Sequence, residues 1–357
     1  MALRDFNSLP YLPLLTVRPA EMRALDELPD RDKDRLLPSF LLRPWGASHH
    51  LQSSVDRLFD AYGDRPAIID LAEHDPPGTP RPVHEQLAAL REQADGFANW
   101  CAYVEQHRHF IPTLQLGNLD EIELQAQRLV GLGRGLAVRF PRGAFAASQL
   151  YAQRLVNITE GGEDVIFILD FEKSNAGLLL QEAQAVGFAR NIIAALPAIH
   201  VAVSASSFPE SFDGPDNQDI YERRFFNGIR DIIGAAQLVY SDRGSARAER
   251  QQAGGGVIYP RIDYALPDNW RFFRAPDEPN RAAVYRRLAA AAIGSPIWDA
   301  GLRLWGTQMI ERTSLGDPDA ITSPARATAT RINIHLHRQA YFDNPNAGYD
   351  TDEDWSD

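Results

Sequence analysis

Short runs of apolar residues alternate along the chain with longer segments in which apolar residues recur every three or four positions. Continuous apolar runs are typical of strands covered on both faces, and the longer segments are typical of amphipathic helices. The predicted strands are residues 11–17, 36–42, 67–71, 110–116, 135–140, 164–171, 200–204 and 236–240.

Helical segments follow most of these strands, which indicates parallel strands joined by helical crossovers. The predicted helices are residues 19–33, 51–62, 83–106, 146–158, 176–196 and 217–233. Eight such units predict an α/β fold, a (β/α)8 TIM-barrel-like domain. An open doubly wound sheet is the main alternative, and the missing Gly-rich fingerprint after the first strand argues against it.

The pattern changes after residue 255. Residues 257–274 predict an inserted β-hairpin with its turn near 267–269, and residues 280–342 predict C-terminal helices, the last over 326–342. The chain of 357 residues is therefore expected to form a single barrel-like domain over 1–342. Residues 343–357 carry six acids and no base, which predicts a disordered acidic tail.

Composition narrows the function classes. The net charge is -12, so we do not expect a broad basic surface that binds nucleic acid. Local clusters of basic residues remain. The single cysteine, Cys101, allows neither an intrachain disulfide nor a cysteine zinc site. No apolar run is long enough for a membrane span or a signal peptide, so we expect no membrane contact and a cytoplasmic location.

Polar residues recur where the predicted strands end, and in a barrel those ends form one rim. They are Arg18, Glu21, Arg43, Asp70, Gln115, Arg139, Asp170, Glu172, Ser204, Ser206, Ser207, Asp242 and Arg243, with Arg261, Asp263 and Tyr264 in the hairpin. Two interpretations stay open. The rim is a polar pocket for a ligand, or it is a set of ion pairs that closes the barrel mouth.

In the pocket interpretation, the arginines bind an anionic substrate and the carboxylates move protons or bind a cation. Asp170, Asp242 and Asp70 are the catalytic candidates. The substrate-binding candidates are Arg18, Glu21, Arg139, Ser206, Arg261 and Tyr264. The three aspartates could share Mg²⁺ or Mn²⁺, but no metal ligand is assigned. Whether the chain is an enzyme stays open.

The remaining chemical groups give weaker signals. On a strand, the side chains of His335 and His337 would share one face. On the predicted helix they point in different directions, which argues against a metal site formed by both histidines. Cys101 lies in a predicted helix and is interpreted as a buried apolar residue. No P-loop, nucleophile elbow or zinc-protease motif is present.

Ordered segments along most of the chain resemble the Beta protein family of phages and bacteria. The most specific are SASSFP, SDRGS and YPRIDY. The others are YLPLLTVRPAEMRALDEL, DRLLPSFLLRP, AIIDL, GLAVRF, VIFILDFE and WRFFRA, so that the likeness spans about residues 11–275. The polar insert at 72–82 and the acidic tail depart from the family pattern.

The resemblance implies a barrel-like α/β fold and no known reaction. Its matching positions here are Arg18, Glu21, Asp70, Arg139, Asp170, Ser206, Phe208, Pro209, Asp242, Arg261 and Tyr264. The link with phages implies a part in phage–host conflict or antiphage defence.

Two functions compete. The pocket binds, and in one version hydrolyses, a phosphate-bearing small molecule or nucleotide. Alternatively, the chain is a non-catalytic recognition protein whose hairpin aromatics, with the acidic tail, bind a phage or host defence protein. These aromatics are Tyr259, Tyr264, Trp270, Phe272 and Phe273, and packing within the protein is the competing interpretation for them.

Overall fold

Eight parallel strands form one sheet that is nearly closed into a barrel. The computed structural model describes residues 3–72, 79–209, 216–246, 259–276 and 278–349. In chain order the strands of these residues are β1 Leu12–Thr16, β2 Ser39–Leu42, β3 Ala67–Leu71, β4 Phe110–Pro112, β5 Leu136–Pro141, β6 Val165–Lys173, β7 His200–Ser206, β8 Asn217–Asp219, β9 Leu238–Asp242, β10 Arg261–Ala265 and β11 Asn269–Arg274.

The helices of the same residues alternate with the strands or follow them in the chain. They are α1 Pro19–Asp26, α2 Asp30–Lys33, α3 Gln52–Tyr62, α4 Pro82–Leu90, α5 Ala94–Glu105, α6 Leu119–Val130, α7 Ser148–Leu155, α8 Glu182–Ala195, α9 Tyr221–Ile233, α10 Arg281–Ile293, α11 Trp305–Leu315 and α12 Pro324–Ala340. Short 3₁₀ helices lie at Arg142–Ala147, Ala176–Gln181 and Pro345–Gly348.

Contacts divide the chain into two compact units, each described by itself. The first contains Met1–Val17, Leu36–Ser207 and Tyr221–Arg243, and the second contains Arg18–Arg35, Phe208–Ile220 and Gly244–Asp357. The hairpin and the C-terminal helices belong to the second unit. The expectation of a single domain over 1–342 stays a prediction.

The sheet of the first unit has the order β4-β3-β2-β1-β9-β7-β6-β5, with every neighbouring pair parallel. A parallel bridge between Thr113 and Ala137 connects its two edge strands, and Leu114 N donates to Ala137 O at 2.8 Å. These two contacts form the seam of the barrel. The predicted barrel-like α/β fold is thereby confirmed.

Apolar side chains fill the barrel interior on the amino-terminal side of the strand ends. Successive residues of a strand point to opposite faces, so residues two apart share the interior. The interior cluster includes Leu12, Leu37, Ile68, Ile111, Ala137, Ile166, Ile168, Ala202 and Val239, all buried. Burial of apolar side chains on the barrel strands explains why these strands are continuous apolar runs in the sequence.

The second unit contains a three-stranded antiparallel sheet of order β10-β11-β8. Strands β10 and β11 form the predicted hairpin, with Leu266 N donating to Asn269 O at 2.8 Å in its turn. Helix α12 packs against α1, α11 and β10. The hydroxyl of Ser323 caps α12 by accepting from Arg326 N at 3.4 Å, and Pro324 follows as the first residue of the helix.

Several sequence predictions about elements were wrong or incomplete. The predicted helix 19–33 divides into α1 and α2. The predicted helix 217–233 begins at Tyr221, because residues 217–219 pair with β11 instead. Helix α6 was not predicted, although its buried residues recur every three or four positions and Asn118 caps it.

The predicted helix 83–106 divides into α4 and α5. The chain turns at Asp95, Gly96 and Phe97, all with positive φ. A Cβ on Gly96 would lie 2.8 Å from Leu124 Cγ, so this position requires glycine.

Parts of three predicted segments lie outside the described residues: 73–78 of the polar insert, 257–258 of the hairpin and 350–357 of the acidic tail. The first part of the tail is described and contains the 3₁₀ helix Pro345–Gly348.

Replacing Ile168 by alanine tests the barrel core. Ile168 is fully buried, and truncation of a buried isoleucine costs about 2–5 kcal/mol of unfolding free energy through lost transfer energy and a residual cavity. The control is Ile232→Ala at a side chain that is 51% exposed, which we expect to change stability by no more than about 0.5 kcal/mol. Urea unfolding measures both. Equal losses in the two variants would contradict the assigned core.

Candidate functional site

Charged side chains lie on the inner face of the barrel directly above its apolar core. Asp70, Arg139 and Asp170 each come two residues after a core residue of the same strand, so they share the interior face. The core residues are Ile68, Ala137 and Ile168. Along each of these strands, the inward-facing side chains are therefore apolar first and charged toward the carboxyl end. Barrel proteins have their catalytic and binding residues at that end.

These charges pair with one another. Arg139 Nε lies 2.6 Å from Asp70 Oδ2, and Arg139 Nη1 lies 3.4 Å from Asp170 Oδ2. Arg243 Nη2 forms a second ion pair with Asp170 Oδ2. We call Asp70, Arg139, Asp170 and Arg243 the barrel charge cluster. All four are buried, and two positive charges balance two negative ones, which is what burial of charge requires.

Further hydrogen bonds fix both carboxylates. Asp70 Oδ1 accepts from Gln115 Nε2 at 2.9 Å and from Leu71 N at 2.8 Å. Asp170 Oδ1 accepts from Glu172 N at 2.9 Å. Because each carboxylate is held by neutral donors as well as by arginine, the guanidinium groups face partners of fixed position.

Three buried donors beside the cluster have no hydrogen-bond partner among the described residues: Ser204 Oγ, Ser241 Oγ and Arg243 Nε. Ser204 is the register partner of Asp170 on the neighbouring strand, and Ser241 lies two residues before Arg243 on the same face of β9. Both serines are fully buried. Buried polar groups in proteins are almost always satisfied, so these three donors are an unusual feature of the barrel interior.

Asp242 does not join the barrel charge cluster. It lies between Ser241 and Arg243 in sequence, so its side chain points to the outer face of the sheet. There the Tyr11 hydroxyl donates to Asp242 Oδ1, and the Tyr240 hydroxyl donates to Asp242 Oδ2 at 2.7 Å. The prediction that Asp242 meets Asp70 and Asp170 at one site was wrong, because strand alternation reverses its direction.

The proposed magnesium or manganese site of three aspartates is therefore not assembled. Arg139 lies between Asp70 and Asp170 and pairs with both, while Asp242 faces outward. Across the described ranges, no group of three or more His, Cys, Asp or Glu side chains could hold a metal ion.

The outer network around Asp242 contains two residues that sequence reasoning passed over. Arg223, on helix α9, stacks its guanidinium carbon 3.2 Å from the ring centroid of Tyr240. Its neighbour Glu222 is buried and accepts from the backbone N of Ser207 at 3.2 Å and from the Ser207 hydroxyl. Burial, with the negative charge of Asp242, raises the pKa of Glu222 from 4.5 to about 8.

The remaining predicted site residues divide between the two units. Ser206 lies in the first unit at the end of β7 and is buried. The second unit contains Arg18, Glu21, Arg261 and Tyr264. Their roles in substrate binding stay predictions.

In the second unit, Arg261 takes part in an internal ion-pair network. Arg261 Nε lies 2.8 Å from Asp263 Oδ2, and Arg331 Nη1 lies 2.7 Å from the same oxygen. The guanidinium of Arg331 also lies 3.8 Å from the ring centroid of Phe208. Part of the predicted rim is thus a salt-bridge network, the second of the two interpretations drawn from the sequence.

Most hairpin aromatics pack inside the second unit. Tyr264, Trp270 and Phe272 are buried, and the Phe208 ring lies 5.2 Å from that of Trp270. Tyr259 is 57% exposed. The packing interpretation is confirmed for the three buried aromatics.

His335 and His337 lie on a helix, as predicted, and have separate neighbours. The His335 ring stacks on Trp270, while His337 Nδ1 lies 2.7 Å from Asp32 Oδ2. Cys101 is buried, and burial raises the pKa of its thiol to about 11, which does not suit a nucleophile.

Fold and site together define a class: an α/β protein whose parallel barrel carries balanced, buried charge above its apolar core. A family model described as Beta protein matches residues 11–341. The chain belongs to the Beta protein family. "Protein beta" of Enterobacteria phage P4 is 28% identical over 363 residues, and the match covers 98% of each chain.

No helix among the described residues has the length and the apolar character to span a bilayer.

The pH dependence of stability tests the environment of Glu222. The pKa of Glu222 rises on folding from 4.5 to about 8. Between pH 4.5 and pH 8 the folded protein therefore keeps a proton on Glu222 that the unfolded chain has lost. Stability should therefore fall as pH rises from 4.5 to 8, by up to about 1.4 kcal/mol per pH unit. Chemical unfolding at several pH values measures the slope.

Glu222→Gln keeps an acceptor for Ser207 and removes the titration, so its slope in this window should be shallower than that of the wild type. The control is Glu123→Gln, at a half-exposed side chain paired with Arg154. Identical slopes for wild type and Glu222→Gln would show that Glu222 is not the titrating group.

Proposed function

We propose that this Beta-family protein acts in phage–host conflict, in antiphage defence, by binding a phosphate-bearing small molecule or nucleotide at the barrel charge cluster. The single observation that carries the proposal is the set of three buried donors that find no partner within the described ranges of the chain, Ser204 Oγ, Ser241 Oγ and Arg243 Nε. Each is an N–H or O–H group. A phosphate has only acceptor oxygens at its anionic end, so it complements such a set.

The carboxylates of the cluster support this role by positioning the arginines. Asp170 pairs with both Arg139 and Arg243, and Asp70 pairs with Arg139. A guanidinium that is already ordered loses less conformational entropy when it binds an anion. The cluster is neutral as it stands, so the ligand's charge must be met by the free donors and by rearrangement of the ion pairs.

Hydrolysis of the bound molecule is a further part of the proposal. Asp170 is the candidate general base, since it lies on the inner face beside Ser204 and could accept a proton from water. Asp70 is the second candidate. Asp242 has no part in this step, because it faces the outer network.

The phage link supports the biological setting. The relative with the printed name "Protein beta" comes from a phage and matches nearly the whole chain. We infer that the present chain acts in conflict between a phage and its host.

A recognition role without catalysis is the second proposal. In this version the chain binds a phage or host defence protein, and Tyr259 is the hairpin aromatic exposed enough to contact it. The burial of Tyr264, Trp270 and Phe272 leaves those side chains to the internal packing of the second unit.

Thermal and calorimetric titration with nucleotides and inorganic phosphate tests ligand binding. A ligand at 100 times its Kd should stabilise the wild type by about 2.7 kcal/mol. Ser204→Ala and Ser241→Ala should fold normally, since each removes a polar atom that has no partner among the residues the structure describes. Each should weaken binding about tenfold through the lost hydrogen bond to the anion.

Ser53→Ala, on helix α3 of the same unit, is the matched control and should bind like the wild type. Phosphate release from the bound nucleotide measures hydrolysis separately. The proposal is wrong if no phosphate compound stabilises the wild type, or if the two barrel serine variants bind as well as the control.

A further inference from the structure

Strand β6 has one residue more than its neighbour β7 where the two strands pass the barrel charge cluster. Asp170 is the register partner of Ser204, and Lys173 is the register partner of Ser206. Two residues of β6 therefore lie opposite the single residue Ala205 of β7, which is a β-bulge. Bulges are frequent beside functional sites, where they change the direction of a side chain.

The bulge decides which charged side chain faces the barrel interior. In a parallel sheet, register partners point to the same face, and residues two apart on a regular strand share a face. Ser206 follows Ser204 by two residues, so it lies on the inner face with Ser204 and Asp170. Lys173, the register partner of Ser206, therefore lies on the inner face as well. A regular strand would have placed Glu172 there, so the bulge exchanges a carboxylate for an ammonium group.

The strand is regular up to the residue before the bulged position. Asp170 faces the barrel interior, and the next residue, Phe171, packs on the other face of the sheet. The Phe171 ring lies 4.7 Å from Phe145, in the 3₁₀ helix after β5, and 4.9 Å from Phe225 of helix α9. The change of direction therefore occurs at Glu172.

Contacts within the first unit hold the bulge in this form. Glu172 has a φ of +53°, in the left-handed region that residues other than glycine rarely adopt, and its backbone N donates to Asp170 Oδ1 at 2.9 Å. Arg142 Nη2 donates to the carbonyl oxygens on both sides of Glu172, to Phe171 O at 2.6 Å and to Lys173 O at 3.4 Å. A left-handed residue of this kind persists where the surrounding contacts fix it, and such residues are concentrated at functional sites.

Lys173 adds a positive charge one layer outside a cluster whose own charges balance. Two residues along a strand span about 7 Å, so Lys173 and Ser206 lie one such step from Asp170 toward the carboxyl ends of the strands. Lys173 is exposed at the end of β6, so a ligand in solution can reach its side chain. An ammonium group has three donors on a flexible stem and binds phosphate groups as a point charge.

On the basis of the function proposed above, we propose that the ligand is a diphosphate and that Lys173 binds its second phosphoryl group. The first phosphoryl group accepts hydrogen bonds from the Ser204 and Ser241 hydroxyls inside the barrel. The second lies one strand step nearer the carboxyl ends and pairs with the ammonium group of Lys173. Because the charges of the cluster balance, this ammonium group offsets the larger negative charge of a diphosphate.

Calorimetric titration of the full chain with inorganic phosphate and with pyrophosphate tests this assignment. Pyrophosphate should bind the wild type at least tenfold more tightly than phosphate, the factor of one charge-assisted hydrogen bond. Lys173→Gln should weaken pyrophosphate binding about tenfold and leave phosphate binding unchanged, so that the preference disappears. Arg190→Gln, which removes an exposed positive charge from helix α8, is the matched control and should keep the preference.

An exchange variant separates the position of the ammonium group from the net charge. Glu172→Lys combined with Lys173→Glu leaves the net charge unchanged and moves the ammonium group to the bulged residue. This variant should lose the preference for pyrophosphate, because a carboxylate now lies on the inner face. If the exchange variant keeps the preference, the assigned role of Lys173 is wrong.

Acetylation of amines, read by mass spectrometry, follows Lys173 in the unaltered chain. Lys33 and Lys173 are the only lysines in the sequence, and Lys33 is buried. Pyrophosphate at ten times its Kd should slow the acetylation of Lys173 about tenfold, since the ligand-free fraction falls by about that factor. An unchanged rate with bound pyrophosphate would overturn the proposal.

Two outcomes separate this proposal from the function on which it rests. If Ser204→Ala weakens pyrophosphate binding while Lys173→Gln does not, the role of Lys173 is wrong and the barrel remains a phosphate site. If neither phosphate compound binds the wild type, both proposals are wrong. Adenosine diphosphate identifies the source of the diphosphate: binding tighter than that of pyrophosphate assigns it to a nucleotide, and weaker binding assigns it to a diphosphate without adenosine.

Discussion

The pairing of Arg139 with Asp70 and Asp170 is the interaction on which the interior of the barrel depends. A guanidinium or carboxylate inside a protein is stable only with a partner at short distance and with its remaining hydrogen bonds satisfied. Arg139 meets this condition with two carboxylates from two other strands. The apolar layer below is buried, so water does not reach the pairing from that side.

This pairing also crosses the seam of the barrel. Arg139 is on edge strand β5, and Asp70 is on β3, one strand in from the opposite edge. Backbone contacts at the seam are few, with one bridge between Thr113 and Ala137. Because this ion pair spans the seam, the charge cluster forms only when the sheet closes. A site made of these residues therefore requires the closed barrel.

Much of the fold could be predicted from the sequence because each barrel strand is buried on both faces and therefore reads as an apolar run. Helix α6 could also have been found from its period of three to four residues. Strand β8 could not, because Asn217, Gln218 and Asp219 are polar and form a strand only through their pairing with β11.

The candidate site was predictable in part. Asp70, Arg139 and Asp170 end three strands and meet, as their positions indicate. Asp242 also ends a strand but faces outward, since a shift of one residue reverses a side chain in a sheet. That same alternation places Ser241 and Arg243 inside, and counting it from Val239 would have found them. Glu222 gave no such signal, because its burial depends on how α9 packs against the outer face of the sheet.

A double-mutant cycle of Asp70→Asn and Arg139→Gln, measured by urea unfolding, tests the closed, charge-paired barrel most directly. If the two side chains pair across the seam, their effects on unfolding free energy should differ from additivity by about 1–3 kcal/mol, with the double variant less destabilised than the sum. Additivity within about 0.5 kcal/mol would show that the two residues do not interact and would contradict the account of the barrel interior.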